Sequence, residues 1–153
     1  MRTFSFSILA LLLFISIPAP AQNSMKAKQT TFTGYLVDRM CGSGMSKKSP
    51  EKAMMMAAKH TRMCAMAEDC AASGYGVVYD GTWHAFDKTG TKKAAAYLDK
   101  IKAKNHLYVA VTGTQNGDMI DVASIKTAKE PKMKMEESKK MEKKDDMKMK
   151  KMD

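Results

Sequence analysis

The chain has little of what usually staples a small exported domain or equips a catalyst. It carries three cysteines, Cys41, Cys64 and Cys70, one tryptophan and four prolines in 153 residues. With an odd number of thiols, one cannot be paired within the chain. No C-x-x-C pair is present, which counts against a dithiol oxidoreductase. Gly-rich phosphate loops and nucleophile motifs are also missing, and the acids Asp38, Glu68, Asp69, Asp80 and Asp87 form no recognisable pair. A cysteine nucleophile with His60 as base has no third group to orient it, so an enzyme is not expected. Past the N-terminus no apolar run approaches the roughly 20 residues of a membrane-spanning helix. Residues 127–153 lack branched aliphatic and aromatic side chains. Such a segment cannot offset the entropy of ordering, which predicts a disordered tail.

What is present begins with an export signature. Arg2 precedes an apolar run over residues 8–17, and Ala19-Pro20-Ala21 fits the small-x-small cleavage pattern. This predicts a signal peptide over residues 1–21, a mature chain starting at Gln22, and a periplasmic or extracellular setting in which disulfides persist. Residues 22–29 read as a polar leader. Residues 30–126 hold nearly all the remaining aromatic and β-branched side chains, and so the only core. A domain this small gains much from a staple or a metal.

The tail over residues 127–153 resembles the Lys-Met-Asp pentapeptide-type repeats at the ends of some small exported bacterial proteins. Its thioethers, Met133, Met135, Met141, Met147, Met149 and Met152, are soft donors suited to Cu(I), and they are open to envelope oxidants. The chain's net charge of +10 suits an anionic envelope surface, through a weak and salt-screened attraction.

The order of elements predicts a mainly β fold with a helical insertion. Residues 31–38 (TFTGYLVD) read as a first strand. Residues 75–79 and 82–87 flank Asp80-Gly81, which suits a type I′ hairpin. After a turn-like Lys88-Thr89-Gly90, residues 92–103 have helical apolar spacing, and Leu107, Val109 and Val111 then alternate toward a turn at Asn116-Gly117 and a strand over residues 119–125. Five strands with a helix between the third and fourth is the order of an OB-like barrel, a small Greek-key design. The departure is a long insertion over residues 39–74, which holds every cysteine and is the expected place of function.

Within the insertion Ser49, Pro50 and Glu51 open a helix, and Gly74 stops it. A continuous helix would stack Met56, His60 and Cys64 on one face. Thr61 offers a second cap, and a break there would put Cys64 in a first turn. If residues 64–70 were helical, Cys64 and Cys70 would stand roughly 10 Å apart, beyond disulfide reach. Two readings stay open. Cys41, His60, Cys64 and Cys70 converge as a four-ligand site for Zn(II), or for Cu(I) with Met40, Met63 or Met66 close by. Alternatively, Cys41 bridges Cys64 or Cys70, and the domain is a disulfide-stapled envelope interaction module.

The strings TGYLVDRMCG, KHTRMCAMAEDCAASGYGVVYDG and VTGTQNGDMIDVASI resemble a group of short exported bacterial proteins of uncharacterised function. The resemblance implies a small exported β domain and brings no activity. The last string is also similar to the closing hairpin of envelope OB-fold proteins. Trp83, Phe86, Tyr79 and Tyr108 read as packing residues, and nucleic acid is not an expected partner of an exported chain. His84 and His106 receive no role. The function expected is non-catalytic binding of a soft metal.

Overall fold

The computed structural model describes residues 28–131. The expected signal peptide, most of the leader and residues 132–153 lie outside the described residues. The strands are β1 (Thr30–Asp38), β2 (Tyr75–Tyr79), β3 (Thr82–Phe86), β4 (Tyr108–Asn116) and β5 (Met119–Thr127). Helices α1 (Arg39–Met45), α2 (Pro50–Lys59), α3 (Arg62–Ala65) and α4 (Glu68–Ser73) fill the segment between β1 and β2, and α5 (Lys88–Lys100) joins β3 to β4. No helix among the described residues is long and apolar enough to cross a membrane.

The sheet runs in the order β1-β2-β3-β5-β4 and closes, because β1 pairs antiparallel with both β2 and β4. Only β3 and β5 pair in parallel, as the crossover through α5 requires. Alternation along the strands sends Leu36, Val77, Phe86, Val109, Val111, Ile120 and Val122 into one core, capped by Ala94 and Leu98 of α5. A second core lies on the other face of β1 and β2. There Tyr35, Val37 and Val78 meet Met45 of α1 and Ala53, Ala57 and Ala58 of α2. The insertion therefore buries the outer face of β1, which explains why its last five residues are all buried instead of alternating.

Turn chemistry follows the sequence at one hairpin and shifts at the other. Asp80 and Gly81 both have positive φ, 49° and 74°, as a type I′ loop demands. A side chain at Gly81 would also strike Pro50, with Cβ 2.3 Å from its Cα, so the hairpin tip rests on the start of α2. In the second hairpin Asn116 still pairs with Met119, and the loop is Gly117-Asp118 instead of Asn116-Gly117. Of these two only Gly117 has positive φ, the pattern of a type II′ turn.

Three further boundaries differ from expectation. Lys88-Thr89-Gly90 is the first turn of α5 and not a loop, because Asp87 caps it by accepting from the Thr89 and Gly90 N–H groups at 3.2 and 2.8 Å. The helix in turn ends at Lys100, short of Ala103. The domain's contacts also run past Lys126. Ala128 N donates to Tyr108 O at 3.0 Å, Glu130 accepts from the Tyr35 hydroxyl, and its carboxylate lies 3.1 Å from His106 Nδ1. Burial, and then Glu130, push the Tyr35 phenol far above its ordinary pKa.

Candidate metal centre

Two short helices present two thiols in the same way. Asp38 ends β1 and caps α1, its Oδ1 accepting from Cys41 N at 3.0 Å. Thr61 caps α3, its hydroxyl accepting from Cys64 N at 3.1 Å. Each cap holds the third helical residue, a standard N-terminal arrangement for Ser, Thr, Asp and Asn. The sequence repeats accordingly, Asp38-Arg39-Met40-Cys41 and Thr61-Arg62-Met63-Cys64. Both arginines anchor their helix, Arg39 beside the Trp83 ring and Arg62 through Nε to Leu98 O at 2.6 Å.

The continuous helix through Met56, His60 and Cys64 does not form. α2 stops at Lys59, His60 is extended at ψ 132°, and Thr61 starts the next helix. The break turns His60 inward to 7% exposure. Its position is fixed from both sides, by His60 N donating to Ala57 O and by His106 N donating to Ala58 O at 3.1 Å. A second break after Met66 separates α3 from α4, so residues 64–70 are not one helix either.

These turns gather Asp38, Cys41, His60 and Cys64, with one donor atom from each lying within 4.8 Å of all the others. Cys41 Sγ and Cys64 Sγ are 4.0 Å apart, and all three cysteines are free. His60 Nε2 is 2.9 Å from Asp38 Oδ2. That contact is close but misses hydrogen-bond alignment, so Asp38 Oδ2 and both ring nitrogens of His60 are buried without a hydrogen-bond partner. Burial works to raise the Asp38 pKa, but His60 and the Cys41 N–H outweigh it and hold the carboxyl below its usual range. Burial, then the Asp38 charge and Cys64, push the Cys41 thiol up to about 12.

Of the expected ligands, Cys41, His60 and Cys64 come together. Cys70, half-buried on α4, falls outside the tight group, and burial, then Asp38 and Cys64, raise its thiol pKa. Sequence reasoning missed Asp38. The signal that could have found it is the repeated cap-Arg-Met-Cys unit, in which Asp38 holds the place of Thr61.

Trp83 positions α1 and is more than a cross-strand packing residue. Its backbone N–H donates to Ser46 Oγ at 3.1 Å, and a Cβ at Gly42 would sit 2.3 Å from the indole. The glycine after Cys41 thus lets the helix lie directly on the ring. Tyr75 does the same for α3, its hydroxyl donating to Ala65 O at 2.9 Å. Away from the centre, His84 stacks on Tyr79 with centroids 4.3 Å apart, and burial lowers its pKa.

Compared with known proteins, the chain matches no family model, no curated protein and no solved structure.

Proposed function

We propose that this protein is an exported, non-catalytic domain that binds one soft or borderline metal ion, Zn(II) or Cu(I), at Asp38, Cys41, His60 and Cys64. The observation that carries the reading is the convergence of one donor atom each from Asp38, Cys41, His60 and Cys64 within 4.8 Å of one another, with Asp38 Oδ2 and the His60 nitrogens lacking an aligned hydrogen bond. An unsatisfied buried polar atom costs about 1–3 kcal/mol, and a cation bound to one His60 nitrogen and beside the Asp38 carboxylate removes that cost at those atoms. The sulfur spacing fits as well. Two sulfurs 4.0 Å apart, each on a metal–sulfur bond of about 2.3 Å, subtend roughly 120° at the ion. With Zn(II) the carboxylate completes a four-donor set. With Cu(I), which prefers soft donors, it holds the His60 ring as an outer partner, and Cys70 stands by as a further thiolate.

The scaffold reading is an OB-like barrel, supported by the strand order and by the parallel β3–β5 closure after the α5 crossover. Export through residues 1–21, and attraction of the basic tail to an anionic envelope surface, complete the proposal. A disulfide-stapled interaction module is the second reading, favoured by the nearness of Cys41 to Cys64. Bridging would require their sulfurs to close from 4.0 Å to about 2.05 Å.

Metal content separates the two. Full chain purified without chelator is expected to hold about one Zn or Cu per chain, with Cys41→Ser, His60→Ala and Cys64→Ser each lowering it. Metal-free protein with Cys41 joined to Cys64, and a silent His60→Ala, would overturn metal binding in favour of the staple.

A further inference from the structure

The two Arg-Met-Cys units share a second property. Each caps its cysteine into the cluster and leaves the preceding methionine in solvent, Met40 at 58% exposure and Met63 at 83%. Met66, which ends α3, is 36% exposed, and Met56 of α2 is 39% exposed. Among the described residues every exposed large apolar side chain is a methionine, and only Met119, at the start of β5, lies outside the insertion. No described leucine, isoleucine, phenylalanine or tryptophan shares that exposure. Helix α1 is able to bury a methionine, since Met45 is 4% exposed in the second core. Scattered surface apolar residues are ordinary, but a single residue type next to each ligand thiol is a chemical pattern. Its common element is the thioether sulfur.

We infer that the ion is Cu(I), and that Met40, Met63 and Met66 form a thioether collar through which it enters and leaves the Cys41–Cys64 centre. This rests on the metal-binding reading and names its ion and its route. A thioether is a soft neutral donor that suits Cu(I) and offers little to Zn(II). Neighbouring Cα atoms are about 3.8 Å apart, and the unbranched methionine side chain has three rotatable bonds. A sulfur on Met40 or Met63 can thus pass an ion to the thiol one residue along. The transfer is ligand exchange. Copper–thioether bonds break, copper–sulfur bonds to Cys41 and Cys64 form, and each thiol gives its proton to water. Copper stays in the +1 state throughout, so no electron donor is involved. Asp38 then keeps His60 in place without ligating the ion.

The test uses full chain, a Met40→Leu/Met63→Leu/Met66→Leu variant, and Met119→Leu as control, each loaded anaerobically with Cu(I) or with Zn(II). Stopped-flow mixing follows Cu(I) transfer to bathocuproine disulfonate and Zn(II) transfer to pyridylazoresorcinol, and circular dichroism confirms folding. Cu(I) is expected to displace Zn(II) from the parent. The triple variant is expected to keep its equilibrium affinity for Cu(I) but transfer it severalfold more slowly, with Zn(II) release and the Met119→Leu control unchanged. Equal Cu(I) transfer rates in parent and triple variant would overturn the collar while leaving the metal site intact. Zn(II) that Cu(I) cannot displace would overturn the choice of ion, again with the site intact. Failure to bind either ion would overturn both readings together.

Discussion

His60 Nε2 and Asp38 Oδ2 stand 2.9 Å apart in the protein interior, yet neither atom has a hydrogen-bond partner. The Asp38 carboxylate is divided between two tasks. Oδ1 closes the first turn of α1 at Cys41, and Oδ2 faces the imidazole brought in by the break after α2. One side chain therefore links the position of a thiol to that of a histidine.

That division makes Asp38→Asn informative. Asparagine caps a helix as well as aspartate does, so the metal-free variant is expected to unfold close to the parent. Loss of the charge is expected to weaken metal binding about 10- to 100-fold, the range seen when a partner of a ligand is removed. Asp38→Ala is expected to lose metal affinity and about 1 kcal/mol of stability together. Chelator competition and urea unfolding measure the two effects separately.

Thr61 is expected to behave in parallel. Thr61→Ala removes the acceptor of the Cys64 N–H and is expected to cost about 1 kcal/mol, while Thr61→Ser restores most of it. Metal affinity should fall less than in Cys64→Ser, since the thiol survives. A Thr61→Ala protein as stable as the parent would show that the break between α2 and α3 does not depend on this cap.

The C-terminal boundary can be found by truncation. A chain ending at Lys126 loses Glu130 and leaves the Tyr35 hydroxyl and His106 without it. It is expected to be less stable by about 1–3 kcal/mol, the cost of an unpaired buried polar group. A chain ending at Pro131 keeps these contacts and is expected to melt with the full-length protein. Coincident melting of all three would mean that Glu130 contributes nothing.

Asp87 sets a pH dependence whose sign is determined by its partners. Burial works to raise its pKa, but the N–H groups of Val122, Gly90 and Thr89, with help from Lys93, lower it overall. A carboxylate with a lowered folded pKa contributes stability that is fully present above the unfolded value of about 3.9, and that is lost as pH falls through the lower folded value. Asp87→Asn is expected to be about 1 kcal/mol less stable at neutral pH, allowing for solvent screening. The gap between parent and variant should narrow in acid. A constant gap from neutral pH down to roughly pH 3 would remove titration of Asp87 as its source.

Much of the scaffold was legible because its signals are local. Alternation identified the strands, and Asp80-Gly81 identified its hairpin because both residues must adopt positive φ. The misreadings occurred where a distant contact overruled a local preference. Gly90 looked like a turn residue, but it lies in α5 beneath Val122, where a Cβ would come within 2.5 Å of Val122 Cγ2. Asp38 looked like an unpaired acid at a strand end, since nothing in its neighbourhood along the chain announces His60. The tail boundary at Lys126 ignored Glu130 because a lone acid among lysines carries no pattern.

The sequence by itself determined which residues could form strands and helices and which atoms could hold a metal, because periodicity, caps and donor chemistry belong to single residues and their near neighbours. It also held the doubled cap-Arg-Met-Cys unit that aims two thiols alike. Only the tertiary structure decided that those units meet, that α2 ends one residue before His60, and that Asp38 joins the group while Cys70 falls outside it. The physical reason is that these choices depend on burial. The insertion helices must cover Tyr35, Val37 and Val78 on the outer face of the sheet, and the angle at which they do so brings Asp38, Cys41, His60 and Cys64 to one point.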